Sequence, residues 1–230
     1  MEKSDFSGFS RDTVAFFEGL KENNSKEWFD KNKETFERSV LEPARGFVVA
    51  MGQRLKEEIS QDIIADPRTD KSIFRLYRDT RFSKNKMPYK THMGIFFWEG
   101  AGKKLENSGF YFHLSPPTLM LGVGMHIFPP DVLKAYREAV VASGSSERLT
   151  EAVEKVRQKK LYTIGGSHYK RVPSGFDPAH PNAEFLRHKG LFAGYEDLIP
   201  TDLFSESIVD FCMEKFIDMA PIHQWLVTAL

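Results

Sequence analysis

A run of cations interleaved with aromatic side chains, FRLYRDTRFSKNKMPYKTH, occupies residues 74–92. Seven basic residues lie between Lys71 and His92, and Asp79 is the only acid there, so the segment carries a charge of +6. The whole chain has 32 basic and 32 acidic residues, so everything outside the segment sums to −6. Arginine binds phosphate or carboxylate through its planar fork, and lysine adds a point charge. Because a local field attracts anions whatever the net charge, the segment predicts an anion-binding surface.

Residues 72–82 are predicted to form a strand, in which side chains alternate between two faces. One face would carry Arg75 and Arg81 around Tyr77 and Asp79. The opposite face is mostly apolar, so we expect it to meet the core. Its members are Phe74, Leu76, Arg78, Thr80 and Phe82.

Two interpretations of this strand stay open. In the first it is an anion-binding surface, extended by the lysine-bearing turn SKNKMPYK that follows it. In the second it is a solvated strand, in which Asp79 pairs with a neighbouring arginine and lysines protect a sheet edge. Arg78 favours the first, because it falls on the apolar face and a buried arginine needs a partner. The candidate anion-binding residues are Arg75, Arg78, Arg81, Lys84, Lys90 and Arg171; the candidate pocket residues are Tyr77, Asp79, Tyr89, His92, Tyr111 and His113.

The segment GFYFHLSPPTLMLGVGMHIF is predicted to form a hairpin around its two prolines. One face would be continuously apolar, and the other would carry Tyr111 and His113 together with Gly122 and Gly124. Glycines on a strand face mark a close approach of something else. That something is either a ligand, with Tyr111 and His113 on its rim, or a helix packed flat on the sheet, which we favour.

A second cationic stretch, HYKRVPSGFDPAHP, places Lys170 and Arg171 in a loop rich in proline and glycine, and Lys189 follows it. It is either an ordinary surface loop or a second wall of the same anion site, since loops on rigid elements often carry function.

Several kinds of site have no signature in this sequence. It contains no Walker-type loop, no dinucleotide-binding fingerprint and no GxSxG elbow. The seven histidines form no HExxH, so we expect no metal, and the pattern assigns no cofactor. The single cysteine, Cys212, lies in an apolar helical pattern and is predicted to belong to the core. It excludes an internal disulfide, which fits a reducing compartment.

The N-terminus has acids where a signal peptide needs an apolar core, and no apolar run is long enough to span a bilayer. We therefore expect a cytoplasmic protein without a membrane partner. The sequence does not predict an oligomeric state.

Helical patterns dominate both ends of the chain. Ser10 is predicted to be the N-cap of the first helix, and Asn24 with Glu27 has the spacing of a capping box. A stripe of Trp28, Asn32, Phe36 and Val40 follows, and Pro43 predicts a kink or break near Glu42. The tail from residue 201 predicts one or two further helices.

The middle of the chain changes to a strand period. Strands are predicted at 72–82, 91–99, 109–115 and 118–128, and another within LYTIGG, residues 161–166. Helices are predicted in PPDVLKAYREAVVASG, in SSERLTEAVEKVRQKK and, shorter, in PNAEFLRHKG. The expected fold is α+β: an antiparallel sheet of about four to six strands packed by N- and C-terminal helices, in a single domain over residues 1–230.

Four long segments carry a family resemblance: NNSKEWFDKNKETFE, FRLYRDTRFSKNKMPYKTHMGIFFW, GFYFHLSP and YKRVPSGFDPAHPNAEFLRHKGL. Together they resemble the DUF2461 family, bacterial and fungal proteins of unknown function, over nearly the whole chain. The resemblance implies one domain, with hallmarks in the two cationic stretches and the Trp28 region. It implies no particular activity.

Three hypotheses of function follow from these patterns. The first is a binding protein or enzyme for a small ligand bearing phosphate or carboxylate, in which tyrosine and histidine orient the ligand or move protons. The second is a nucleic-acid-binding module, in which cations grip phosphates and rings stack on bases. The third is an interaction protein whose cationic surface meets an acidic partner. We favour the first.

Overall fold

The computed structural model describes residues 6–230, and these form seven α-helices and six strands. The strands make one open antiparallel sheet in the order β1-β2-β3-β4-β6-β5, so the predicted α+β class and strand number are confirmed. The helices are α1 (Arg11–Glu22), α2 (Lys26–Lys31), α3 (Lys33–Phe36), α4 (Glu42–Glu58), α5 (Pro130–Val141), α6 (Ser145–Gln158) and α7 (Ser207–Ala229). The strands are β1 (Ile63–Ile64), β2 (Met93–Glu99), β3 (Gly109–Ser115), β4 (Thr118–Met125), β5 (Thr163–Ser167) and β6 (His188–Leu198). Short 3₁₀ turns lie at Lys104–Glu106, Phe185–Arg187 and Thr201–Phe204.

The N-terminal helices form largely as their sequence predicts. Ser10 caps α1, with its side chain accepting from the backbone N–H of Thr13. A π-helical stretch, Glu37–Leu41, runs directly into α4, and Pro43 sits in the first turn of α4. Pro43 has no N–H to offer the preceding turn, and the carbonyl of Ser39 accepts from the hydroxyl of Thr13 instead. The predicted break near Glu42 is therefore a change of helix type. The predicted Asn24 capping box is wrong, because Ser25 caps α2.

The hairpin is confirmed with its predicted apolar face. Phe110, Phe112, Leu114, Leu119, Leu121 and Val123 are all buried. The strand predicted at 118–128 ends earlier, at Met125. At Gly124 the close approach comes from a neighbouring strand: φ is 127°, and a Cβ would collide with the carbonyl oxygen of Leu191. Neither a ligand nor a helix explains this glycine.

The prediction of a strand over residues 72–82 is wrong. The segment is irregular and makes only isolated bridges, from Ile73 to Thr69 and Ile95 and from Tyr77 to Tyr89. A side-chain turn at Asp79, whose carboxylate accepts from the backbone N–H of Arg81, interrupts the extended chain. The alternation fails with it, since Phe82, assigned to the core face, is 95% exposed.

Strand β6 is the largest element that the sequence pattern missed. Its first residues, His188–Gly190, belong to the stretch PNAEFLRHKG, for which a short helix was predicted. That stretch forms only the 3₁₀ turn at Phe185–Arg187 before β6 begins. The confirmed elements include α5, α6 and β5, and Cys212 is buried as predicted.

The chain divides into two compact units. The first runs to Phe97 and adds Tyr111–Met120 and Glu196–Glu214; the second comprises Trp98–Phe110, Leu121–Tyr195 and Lys215–Leu230. Phe47 anchors the core of the first, with its ring 4.8 Å from Phe112 and 5.6 Å from Phe9. Trp225 anchors the second, where its indole N–H donates to the carbonyl of Ser145. The single domain over 1–230 stays a prediction.

Candidate functional site

A cavity of about 170 Å³ lies in the first unit, beneath the cationic segment. Its walls are mostly apolar and come from α1, α2, α3, the π-helical stretch, α4, the chain before β2 and the first residue of β2. Where it reaches the surface, it is bordered by the exposed side chains of Glu37, Arg75 and Tyr77. His92 also lines it. The remaining lining residues are Phe17, Phe29, Phe36, Val40, Leu41, Ala44, Thr69, Ile73, Phe74, Leu76 and Met93.

Arg75 is the cation best placed to meet a ligand in this cavity. It is exposed, and within residues 6–230 no carboxylate lies within ion-pair distance of its guanidinium. Glu37, which also lines the cavity, likewise has no ion-pair partner in the described part of the chain. An arginine fork without a protein carboxylate retains its five donors for a ligand.

Lys90 adds a second cation beside the cavity wall. Its ammonium lies 5.4 Å from the ring centre of Phe74, a cation–π distance. Partial burial lowers the pKa of the Lys90 amine, and the charge of Arg75 lowers it further. The two cations therefore repel each other, and an anion placed near both would relieve that repulsion.

His92 and His113 pack against each other, with Lys90 nearby. Their ring centres are 4.3 Å apart, and the phenol of Tyr111 is hydrogen-bonded to Nδ1 of His113 over 2.9 Å. Burial, and then the neighbouring His113 and Lys90, lower the pKa of His92 to about 4. Burial also lowers the pKa of His113 and raises that of Tyr111 to about 12. At neutral pH both imidazoles are uncharged, so the cluster accepts or donates hydrogen bonds and can transfer protons.

Asn24 holds the chain that carries Lys90. Its side-chain amide donates to the carbonyl of Tyr89 and accepts from the N–H of Tyr89, each over 3.0 Å. The Tyr89 ring is buried, 4.6 Å from Phe29 and 5.1 Å from Tyr77. This burial raises the pKa of Tyr89 to about 12. Tyr89 is therefore a structural support beside the cavity and not part of its lining.

The rest of the cationic segment forms an exposed loop between Tyr77 and Tyr89. Arg81 pairs with Asp79 through both carboxylate oxygens, so its fork is already engaged, and this pairing lowers the pKa of Asp79. Arg78, predicted to be buried and in need of a partner, is half-buried and donates to the carbonyl of Met87. Lys84 is exposed. The pairing foreseen by the solvated-strand interpretation therefore exists, in a loop instead of a strand.

The candidate residues thus fall into three groups. Arg75, Tyr77 and His92 line the cavity, with Lys90, His113 and Tyr111 packed beside them. Arg78, Asp79, Arg81 and Lys84 belong to the exposed loop, and Tyr89 lies in the core beneath it. Arg171 belongs to the second unit, in the exposed loop after β5. Its role in an anion site stays a prediction.

The sequence pattern missed most of the cavity walls. Phe36 and Val40 belong to the apolar stripe predicted for the N-terminal helices, but nothing in their spacing marks them as lining a cavity. Phe17, Phe29 and Ala44 come from three different helices. The only signal in the sequence is the apolar spacing within each helix, and that spacing predicts a buried core and not a cavity.

A second polar cluster, buried in the second unit, links Ser108, His223 and Glu99. Nδ1 of His223 is 2.9 Å from the Ser108 hydroxyl, and its Nε2 is 2.9 Å from the Glu99 carboxylate. A serine, a histidine and a carboxylate also make up hydrolytic triads. Here Ser108 is 5% exposed and His223 is 1% exposed, so substrate has no access to the hydroxyl. The cluster is a satisfied buried network, which is how polar groups are tolerated in a core.

Two further properties bear on function. Among the residues from Phe6 onward, no group of three or more His, Cys, Asp or Glu side chains is arranged to hold a metal ion. Over the same residues, no helix combines the length and the apolar character needed to cross a membrane.

Comparison with known proteins assigns the chain to a family. The model of a conserved hypothetical protein family, DUF2461, matches residues 12–225. Searches of curated proteins and of solved structures found no match. The match covers both the cavity and the cationic segment, as the four sequence segments predicted. The chain belongs to the DUF2461 family.

Proposed function

We propose that this protein binds a small anionic ligand at the cavity of the first unit, with the anion on Arg75 and Lys90. The observation that supports this proposal is that Arg75 lines an apolar cavity and has no carboxylate partner in the described chain. Concave, mostly apolar pockets with a few convergent polar groups are the usual form of small-ligand sites. The neutral imidazole of His92 borders the same cavity and would donate a hydrogen bond to the ligand or accept one from it.

A panel of small anions tests this proposal. Benzoate, phenyl phosphate and inorganic phosphate are each added to the full chain, and the thermal unfolding midpoint is measured. A ligand that binds only the folded state raises that midpoint according to its concentration relative to Kd. We expect at least one anion to stabilise the protein and Arg75→Ala to abolish the effect.

Arg45→Ala is the matched control, because Arg45 is an exposed arginine of the same unit on α4 and does not line the cavity. Its response to the anions should equal that of the unchanged protein. Absence of stabilisation by every anion, or the same stabilisation in Arg75→Ala, would refute the proposal.

Nucleic-acid binding is the second candidate function, and one observation favours it. Phe82 is 95% exposed at the tip of the cationic loop, with the guanidinium of Arg81 5.8 Å from its ring centre. An exposed ring among cations suits base stacking. Binding of mixed-sequence single-stranded RNA or DNA that weakens steeply with salt and is lost in Phe82→Ala would support this function over the first.

A further inference from the structure

We infer that the ligand of this cavity is a monocarboxylate carrying one ring-sized apolar group, with benzoate as its simplest representative. The inference rests on the proposed function, that the site binds an anion at Arg75, and it adds the size, polarity and charge of that anion.

The size and polarity of the cavity define the apolar part of the ligand. A volume of about 170 Å³ is close to the ~150 Å³ that holds one benzene molecule in an apolar protein cavity. Phenylalanine rings and aliphatic side chains form most of the wall, including Phe29, Phe36 and Val40. A bare inorganic anion would leave this surface without contacts, whereas a ring would fill it and bury its own apolar area.

The charges around the cavity define the anionic part. Arg75 and Lys90 are positive, and Glu37, also on the lining, is negative. The carboxylates of Asp79 and Asp70 act on Arg75 and Lys90 from nearby, so the positive charge left for a ligand is small. His92 and His113 add nothing at neutral pH, because burial keeps them uncharged. A carboxylate carries one negative charge, whereas a phosphate monoester carries nearly two and meets more repulsion from Glu37.

The arginine fork provides the geometry for this charge. A guanidinium binds a carboxylate through two parallel hydrogen bonds in one plane. Arg75 and Phe74 are adjacent in the chain and both line the cavity, so the carboxylate on Arg75 and the ring within the walls would belong to one small molecule.

Isothermal titration of the full chain with four ligands tests the inference. We expect benzoate to bind at least about tenfold more tightly than acetate, which lacks the ring, and than benzamide, which lacks the charge. Phenyl phosphate should bind more weakly than benzoate. In the same titrations, Glu37→Gln should narrow the difference in affinity between benzoate and phenyl phosphate. The substitution removes the repulsion between Glu37 and the second negative charge of the phosphate.

Two cavity variants test where the ring lies. Ala44→Leu adds side-chain volume to the wall and should abolish benzoate binding while leaving acetate binding unchanged. Val40→Ala enlarges the cavity and should shift the preference from benzoate towards 2-naphthoate. The Val40→Ala measurement decides the question by itself if Ala44→Leu does not fold.

The possible failures are distinguishable. If phenyl phosphate or inorganic phosphate binds more tightly than benzoate and requires Arg75, the carboxylate inference is wrong and the proposed anion site stands. If acetate binds as tightly as benzoate, the ring is not recognised and the inference is wrong. If none of these anions binds, both the inference and the proposed function fail.

Discussion

Replacing Asn24 with alanine should destabilise the protein by about 2–3 kcal/mol. The side-chain amide makes two hydrogen bonds to the backbone of Tyr89, 65 residues along the chain, and Tyr89 is 2% exposed. Each such hydrogen bond contributes about 1 kcal/mol, and a buried backbone group left without a partner adds its desolvation cost. Because Lys90 follows Tyr89 directly, the same substitution should also weaken anion binding at the cavity.

Urea unfolding, monitored by far-ultraviolet circular dichroism, measures this free energy of unfolding. Asn23→Ala is the matched control, since the side chain of Asn23 makes one exposed hydrogen bond to the carbonyl of Gly19. Asn23→Ala should lower the free energy of unfolding by less than about 1 kcal/mol. Asn24→Asp should fall between the two, because it keeps the acceptor for the Tyr89 N–H and loses the donor. If Asn24→Ala lowers the free energy of unfolding no more than Asn23→Ala does, Asn24 does not stabilise the fold by holding the backbone of Tyr89.

Two further predictions concern pH and backbone strain. The pKa of His92 is depressed from 6.5 to about 4, so the unfolded chain binds more protons between these values and stability must fall as pH drops through that window. The free energy of unfolding is measured at pH 7 and at pH 4.5, for the unchanged protein and for His92→Gln. The substitution should reduce the difference between the two pH values by about 1–2 kcal/mol, after a discount for solvent at this partly exposed ring. An unchanged difference would contradict a buried, neutral imidazole at His92. Gly124→Ala, at φ 127° and against a neighbouring strand, should lower the thermal unfolding midpoint far more than Gly175→Ala, at φ 92° with nothing within 4 Å of a new Cβ. Equal effects would mean that backbone strain alone accounts for both.

Much of the fold could be predicted because its local patterns are strong. The hairpin shows this best, since strict alternation fixed both the limits of β3 and the buried face that includes Phe110 and Phe112. Capping by Ser10 is equally local, and it is confirmed.

Strand β6 escaped prediction because its alternation is interrupted by glycines, which are depleted in strands. Leu191, Ala193 and Tyr195 are buried at every second position, as a strand requires. Gly190 and Gly194 lie around and between them, and a Cβ on Gly190 would collide with the carbonyl oxygen of His126. The glycine is required by the neighbouring chain, and that neighbour cannot be read from the local pattern.

The candidate site was predicted in part for a similar reason. Residue types identified the cations and the histidines, and His92 with His113 proved to be in direct contact. Their grouping depends on the turn at Asp79, which removes Arg81 from the set and leaves Arg75 at the cavity. The cavity itself is made by side chains from separate helices, so no single segment indicates it.

A crystal structure of the full chain with benzoate tests the central claim most directly. The account predicts the carboxylate within hydrogen-bond distance of the Arg75 guanidinium and the ring among Phe29, Phe36 and Val40. Benzoate bound only elsewhere, for example on the exposed loop around Phe82, would contradict it.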